Sequence, residues 1–311
     1  MWHPGYEKPE NLLRDADNAM YRAKEMGGNT FQFYSAEMGS HAMKRLTLEN
    51  DLRMALDRGE FVLHYQPQID IASGRVVGVE ALLRWNHAER GLVGPLDFIP
   101  LLEETGLIVA VGRWVLESAL AQLAEWHRAG WQSLAVAVNL SSHQFHEPEL
   151  AQRLSESLQT YALPARCVEL EITESTLLQH IPATAATLEK LTELGFGIAL
   201  DDFGTGYSSL SYLRRFPIDT LKIDRSFVRD IPADNNDAAI TRAIVVMAQS
   251  LQLHLVAEGV ELEEQRDFLR SLGCNTMQGY LFSKPLDAAA MTRYLQTTLA
   301  PTDSTDAPAS H

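Results

Sequence analysis

Apolar residues recur along this 311-residue chain with two different periods. At helical spacing they stand at Leu12, Leu13, Ala16, Ala19, Met20 and Ala23, which predicts an amphipathic helix over 9–26, closed by Gly27-Gly28-Asn29. Thr30–Tyr34 reads as a short strand. A second helical pattern runs over 43–58 through Leu48, Leu52, Ala55 and Leu56, and Gly59 stops it. From there to residue 286 the pattern alternates. Eight short β-like runs occur, at Phe61–Gln66, Val76–Leu83, Ala135–Leu140, Val168–Ile172, Gly197–Leu200, Thr220–Ile223, His254–Ala257 and Thr276–Leu281. Helical stretches separate most of them, among them Val115–Trp126, Leu150–Tyr161, Ala183–Leu194, Asp237–Leu251 and Glu263–Leu272, and Gly or Pro marks many joints. Eight strands alternating with helices predict an α/β chain closed into a (β/α)₈ barrel. The first connection departs from that scheme. Only 14 positions separate Gln66 from Glu80, with Ala72-Ser73-Gly74 between them. That is too short for a helical crossover, so the first strand pair is expected to be an antiparallel hairpin. The 59 positions from Glu80 to Asn139 leave room for two helices.

Charge narrows the function classes. Asp and Glu number 41 against 26 Lys and Arg, a net charge of −15. That argues against a sequence-independent nucleic-acid binder, which needs a basic face, and is compatible with cation binding. No apolar run approaches the roughly 18 residues of a membrane span, and Met1–Tyr6 shows no basic stretch leading into an apolar one, so neither a membrane contact nor a signal peptide is expected. Two cysteines, Cys167 and Cys274, exclude a disulfide framework and read as small core residues in a reducing compartment, hence a cytoplasmic location. From Leu299-Ala300-Pro301 onward the chain is rich in Pro, Ser, Thr, Asp and Ala, which predicts a disordered tail over 299–311.

The chemistry lies where the β-like runs end. Glu80, Asn139, Glu171, Asp201 with Asp202, Lys222, Glu258 and Gln278 each stand at or near the last position of one. In a barrel those ends converge on the face that carries active sites. Five carboxylates and two amide oxygens suit Mg²⁺ or Mn²⁺ rather than zinc. The adjacent Asp201 and Asp202 allow one carboxylate to bridge two cations, the usual clamp for in-line attack on a phosphodiester. A lysine among these acids has a task in positioning or activating water. The residues alone therefore point to a metal-dependent hydrolase of phosphate esters. A phosphatase or nuclease and a catalytically silent nucleotide receptor stay open as alternatives.

Glu80-Ala81-Leu82-Leu83-Arg84-Trp85, VNLS at 138–141, ELEITES at 169–175, DDFGTGYSSLSYL at 201–213, LKIDRSFV at 221–228, AEGVE at 257–261 and MQGYLFSKPL at 277–286 together resemble the EAL phosphodiesterases, over roughly residues 43–296. The resemblance implies a modified TIM barrel with an antiparallel first pair, and hydrolysis of cyclic di-GMP to the linear dinucleotide 5′-pGpG with two Mg²⁺ or Mn²⁺ ions. It implies that Glu80, Asn139, Glu171 and Asp201 bind the first metal, and that Asp201 bridges to a second completed by Asp202. By the same likeness Lys222 contacts the attacking water, Glu258 holds that lysine and water, and Gln278 stands nearby. Gln66, Leu82 and Arg84 match positions that hold guanine and phosphate, and Glu174 matches the anchor of the loop running through Gly204-Thr205-Gly206-Tyr207. Dimerisation through that loop and its following helix is also implied. LLRDADNAMYRAKEMGGNTFQFY near the start resembles the C-terminal end of a GGDEF diguanylate cyclase domain; that family's signature is absent from this chain, so the resemblance carries over no cyclase activity. The expected organisation is a cyclase-domain remnant over 1–36, a linker helix over 37–58, the barrel over 59–298 and the tail, with cyclase and sensory domains upstream in a longer parent protein.

Overall fold

The computed structural model describes residues 9–25, 30–204 and 215–298. The expected glycine stop at 27–29, most of the loop after Asp202, and the tail lie outside them. Helix α1 (Pro9–Glu25) buries Ala19 and Ala23 and leaves Leu12, Leu13 and Met20 exposed. It packs against α2 (Ala36–Ala55), whose Leu48, Leu52 and Ala55 are buried in the main core. The strand expected at Thr30–Tyr34 is absent. Residues 31–35 join no ladder, and the exposed rings of Phe31 and Phe33 meet edge to face at 5.5 Å. Alternating side chains make a strand only where a partner edge is within reach.

The barrel is built from β1 (Phe61–Asp70), β2 (Arg75–His87), β4 (Ala135–Asn139), β5 (Val168–Thr173), β6 (Gly197–Phe203), β7 (Thr220–Ile223), β8 (His254–Ala257) and β9 (Thr276–Met277). Two short strands, β3 (Gly91–Val93) and β10 (Leu286–Asp287), flank it. From β2 through β9 the neighbouring barrel strands are parallel. β1 runs the other way: it forms the expected hairpin with β2 and closes the barrel antiparallel to β9 through Ile69↔Met277. The 59-residue gap holds two helices, α3 (Pro95–Glu104) and α4 (Ile108–Arg128). Along β5 to β7, Leu170, Ile172, Leu200, Leu221 and Ile223 are buried on one strand face, and the polar residues take the other.

Around β1 the outer layer is aromatic. Phe61 packs with Trp85 and Phe98, and the Trp85 indole N–H donates to Glu60 Oε2 at 2.9 Å. Cys167 and Cys274 are free and buried, and burial pushes their thiols up to about 11 and about 12. Among the described residues no helix is long and apolar enough to cross a membrane.

The last barrel strand is shorter than its apolar run suggests. After Met277 the backbone closes on the segment following β8: the Val260 N–H donates to Gln278 O at 3.1 Å and the Leu281 N–H to Val260 O at 3.0 Å. Gly279 sits in this seam, where a Cβ would stand 2.1 Å from Val260 O and 2.3 Å from Val260 N. Backbone atoms cannot swing aside as a flexible side chain can. Gly279→Ala is therefore expected to destabilise the protein by about 2–3 kcal/mol or more. Urea denaturation measures this, and a parental midpoint would show that the seam can open.

Candidate active site

Three strands and the residue after a fourth bring carboxylates around one ammonium at the parallel strands' C-terminal end. Glu80 comes from β2, Glu171 from β5, Asp201 from β6, and Glu258 from the residue after β8. Lys222 lies on β7 between Leu221 and Ile223, both fully buried on the opposite strand face, so alternation turns the lysine inward. Its Nζ is 2.6 Å from Glu258 Oε1, 2.8 Å from Glu171 Oε1, 3.4 Å from Asp201 Oδ1 and 3.8 Å from Glu80 Oε1. Its side chain is 1% exposed.

A buried ammonium is costly unless it is paired. Burial alone would lower the lysine's pKa, but Glu171, Glu258, Glu80 and Asp201 together hold it well above the ordinary value. The acids are less comfortable. Burial and the neighbouring Glu80 push the Glu171 carboxyl well above the usual range, with Lys222 pulling the other way. Burial likewise raises Glu258 against the pull of Lys222. Glu80 differs: burial would raise it, but Lys222 and amide hydrogen bonds hold it low.

Those amides come from β1, from β4 and from just after β9. Asn139 Nδ2 donates to Glu80 Oε1 at 2.8 Å, and Gln278 Nε2 donates to Glu80 Oε2 and, at 3.0 Å, to Gln66 Oε1. Gln66 Nε2 in turn donates to Ser283 O at 3.1 Å. Both Glu80 oxygens are thus engaged by amides, and the Gln66 amide is engaged within the barrel. Glu80 does not end its strand as its apolar run suggested. β2 continues to His87, and Glu80 sits mid-strand, opposite Gln66.

The Asp pair lies at an irregularity. The β6–β7 register shifts between Leu200 and Phe203, and Asp202 adopts a left-handed backbone with φ +55°. A regular strand would send Asp201 and Asp202 to opposite faces, and the irregularity breaks that alternation. The Asp202 N–H donates to Asp201 Oδ1 at 3.0 Å. Just beyond, Gly204 has φ +92°, and its N–H makes a long hydrogen bond of 3.5 Å to Glu174 Oε2. Glu174 is buried at the start of the short helix Glu174–Leu178, which Thr173 caps through its hydroxyl. The rest of the loop expected to rest on Glu174, and the segment expected to dimerise, lie outside the described residues.

A cavity of about 670 Å³ opens beside the cluster, lined by Leu82, Arg84, Ile99, Asn139, Ser141 and Asp201 among others. That is the size of an ordinary small-ligand pocket. Gln66 is not among its lining residues; it belongs to the layer of amides inside the barrel. One pair was not legible as part of this region: Glu169, two residues before Glu171, and Thr220, two residues before Lys222. The period of two along β5 and β7 was the available signal.

The donor chemistry suits hard divalent cations. The acids outnumber the lysine, and both carboxylate oxygens of Glu171 are buried, with Lys222 Nζ 2.8 Å from Oε1 and no hydrogen bond to Oε2. Their arrangement is not a preformed cage. Among the described residues no three His, Cys, Asp or Glu side chains are disposed to hold an ion, because the carboxylates close on Lys222 instead.

Residues 49–285 match the model of the EAL domain. The chain belongs to the EAL domain family. It is 47% identical over 277 residues to MucR of Pseudomonas aeruginosa, a bifunctional diguanylate cyclase/cyclic di-GMP phosphodiesterase, covering 89% of this chain and 40% of MucR. Identity to the Escherichia coli cyclic di-GMP phosphodiesterase PdeR is 44% over 283 residues, or 91% of this chain and 42% of PdeR. The EAL chain therefore spans about two fifths of the length of these curated relatives. The structure of the MucR phosphodiesterase in complex with c-di-GMP superposes with a TM-score of 0.77 at 47% identity, covering 79% of this chain and 99% of that one. The EAL enzyme Bd1971, with cAMP and cyclic di-GMP bound, gives a TM-score of 0.79 at 32% identity, covering 94% of this chain and 77% of that one.

Within this EAL barrel, removing the lysine strands several buried acids. Lys222→Met is expected to destabilise the fold by about 3–5 kcal/mol despite the similar length of the side chain. A chemical-denaturation midpoint equal to the parent's would show that the acids do not depend on it.

Proposed function

We propose that this chain hydrolyses cyclic di-GMP to linear 5′-pGpG, adding water across one phosphodiester bond. The observation that carries the reading is the buried Lys222 ammonium among four carboxylates beside a cavity lined by Leu82 and Arg84. Support comes from relatives described as cyclic di-GMP phosphodiesterases and from the c-di-GMP complex of the MucR enzyme. Glu80, Asn139, Glu171, Asp201 and Asp202 would hold two Mg²⁺ or Mn²⁺ ions. When bound, these would supply positive charge to an anionic phosphodiester that the bare acids repel. Arg84 and Leu82 hold the phosphate and guanine from the cavity wall. Lys222 orients the attacking water, and Glu258 holds the lysine in place. Gln278 and Asn139 fix the Glu80 carboxylate by donating to its two oxygens, and Glu174 steadies the backbone after the Asp pair. The same reading extends to a cytoplasmic chain that pairs with a second copy and follows a GGDEF domain in a longer protein; light scattering on the purified chain tests the pairing.

Turnover of cyclic di-GMP to pGpG, followed by chromatography, is expected only with Mg²⁺ or Mn²⁺ and to be inhibited by Ca²⁺, which tolerates looser coordination. Asp201→Asn should lower kcat by more than about 10²-fold. Equal rates in Ca²⁺ and Mg²⁺, or an active Asp201→Asn protein, would contradict the metal assignment. Glu174→Ala is expected to stay folded and lose about 10- to 100-fold in activity, with partial recovery at higher Mg²⁺ or Mn²⁺. Parental activity and metal dependence in that variant would remove Glu174 from the machinery.

A further inference from the structure

Below the carboxylate cluster the barrel interior holds a second cross-strand contact that the chemistry above does not use. Glu169 precedes Glu171 by two residues on β5, and Thr220 precedes Lys222 by two on β7. All four side chains therefore share the inner face. β5 and β7 are not neighbours; each pairs with β6, which lies between them. Two strand spacings separate their backbones, roughly 10 Å. Thr220 Oγ1 nevertheless donates a short hydrogen bond to Glu169 Oε1, and one level higher Lys222 Nζ reaches Glu171 Oε1 at 2.8 Å. Both ties cross β6 where its side chains are minimal: Gly197 pairs with Glu169, and Ala199 with Glu171.

β7 has reason to need this hold. It is only four residues long. Its ladder with β6 matches Ala199 to Thr220 and Leu200 to Leu221, then shifts and resumes with Phe203 opposite Ile223. Lys222 falls in the break: it has a register partner on β8, Val256, and none on β6. The lysine's strand is thus weakly held on one side at the level where its ammonium must be placed. Just below the break stands Thr220, 4% exposed, whose hydroxyl has little water to turn to if Glu169 is lost.

We propose that the Glu169–Thr220 hydrogen bond is a positioning element that sets the separation of β5 and β7 across the irregular β6, and through it the Glu171–Lys222 geometry. Neither residue touches the reacting atoms. Their effect on rate rests on the phosphodiesterase reading above, because a displacement of about 1 Å at a catalytic group can cost about 10²-fold.

Four variants separate this role from simple packing. Thr220→Val and Glu169→Leu break the bond, whereas Thr220→Ser keeps the donor and Glu169→Gln keeps an acceptor. The bond-breaking pair is expected to lose about 10- to 10²-fold in kcat, with KM and cyclic di-GMP affinity within about threefold of the parent. The conservative pair should stay within about threefold in kcat, and the combined Thr220→Val/Glu169→Leu protein should be no slower than the slower single variant. A parental kcat for Thr220→Val overturns the proposal. So does a Thr220→Ser protein as slow as Thr220→Val, or losses that only follow the folded fraction seen in thermal melts. If Thr220→Val does not fold, the Glu169→Leu and Glu169→Gln pair decides. A crystal structure of Glu169→Leu reads the same claim without turnover: the Lys222 Nζ to Glu171 Oε1 separation should open from 2.8 Å by more than about 0.5 Å. If the parent protein does not hydrolyse cyclic di-GMP, the proposed function fails and this separation alone decides the tie. An unchanged separation overturns the tie whatever the turnover.

Discussion

One charge balance governs the interior of this barrel. A fully buried lysine survives because three carboxylates from other strands and a fourth just after β8 surround it, and those carboxylates survive in part because of the lysine. Neither half is stable alone in a low-dielectric interior. The balance is also incomplete, since the acids outnumber the ammonium and Glu171 is held well above the usual carboxylate range by burial and by Glu80. Buried acids crowded enough to favour keeping their protons are acids from which an added cation can displace those protons, whereas a barrel lined by apolar side chains would have no use for it.

The surrounding structure serves that balance. Small residues on β6 let side chains from β5 and β7 meet over it. Amides on β1, on β4 and just after β9 hold Glu80 and one another in a chain that ends on the backbone of Ser283. Even the irregular turn of β6, with a left-handed aspartate, lies where two adjacent acids must escape the opposite-face rule of a regular strand.

Much of this was legible in the residues. Short apolar runs separated by helical patterns marked the eight barrel strands, and the short Gln66–Glu80 interval foretold the antiparallel hairpin. Polar residues at the ends of apolar runs marked most of the cluster. The misreadings have physical causes. β2 runs past Glu80 because β1 pairs with it from Ala81 to Trp85 and β3 with its last residues from Trp85 to His87, contacts with no local signal. The last apolar run, Thr276–Leu281, yields a strand only to Met277, since Gly279 must lie against the backbone of Val260. Thr30–Tyr34 has the alternation of a strand but no partner edge among the described residues. Glu169 and Thr220 are ordinary strand residues until the register across β6 sets them opposite each other, and register is a property of three strands rather than of any one.

The reversed first strand also changes where the chain arrives. In a barrel of wholly parallel strands, the chain reaches β1 at the end remote from the site. Here Phe61 opens β1 opposite Trp85, on the site side of Glu80, and the hairpin bend before Arg75 falls at the far end. Helix α2 therefore docks at the rim that carries the carboxylate cluster. It packs on α3, whose Pro95, Leu96, Ile99 and Glu103 line the cavity, and Arg45 and Asp51 of α2 pair with Glu104 and His87 there. A push or twist carried along α2 would reach the cavity wall through one helix–helix contact, without crossing the thickness of the barrel.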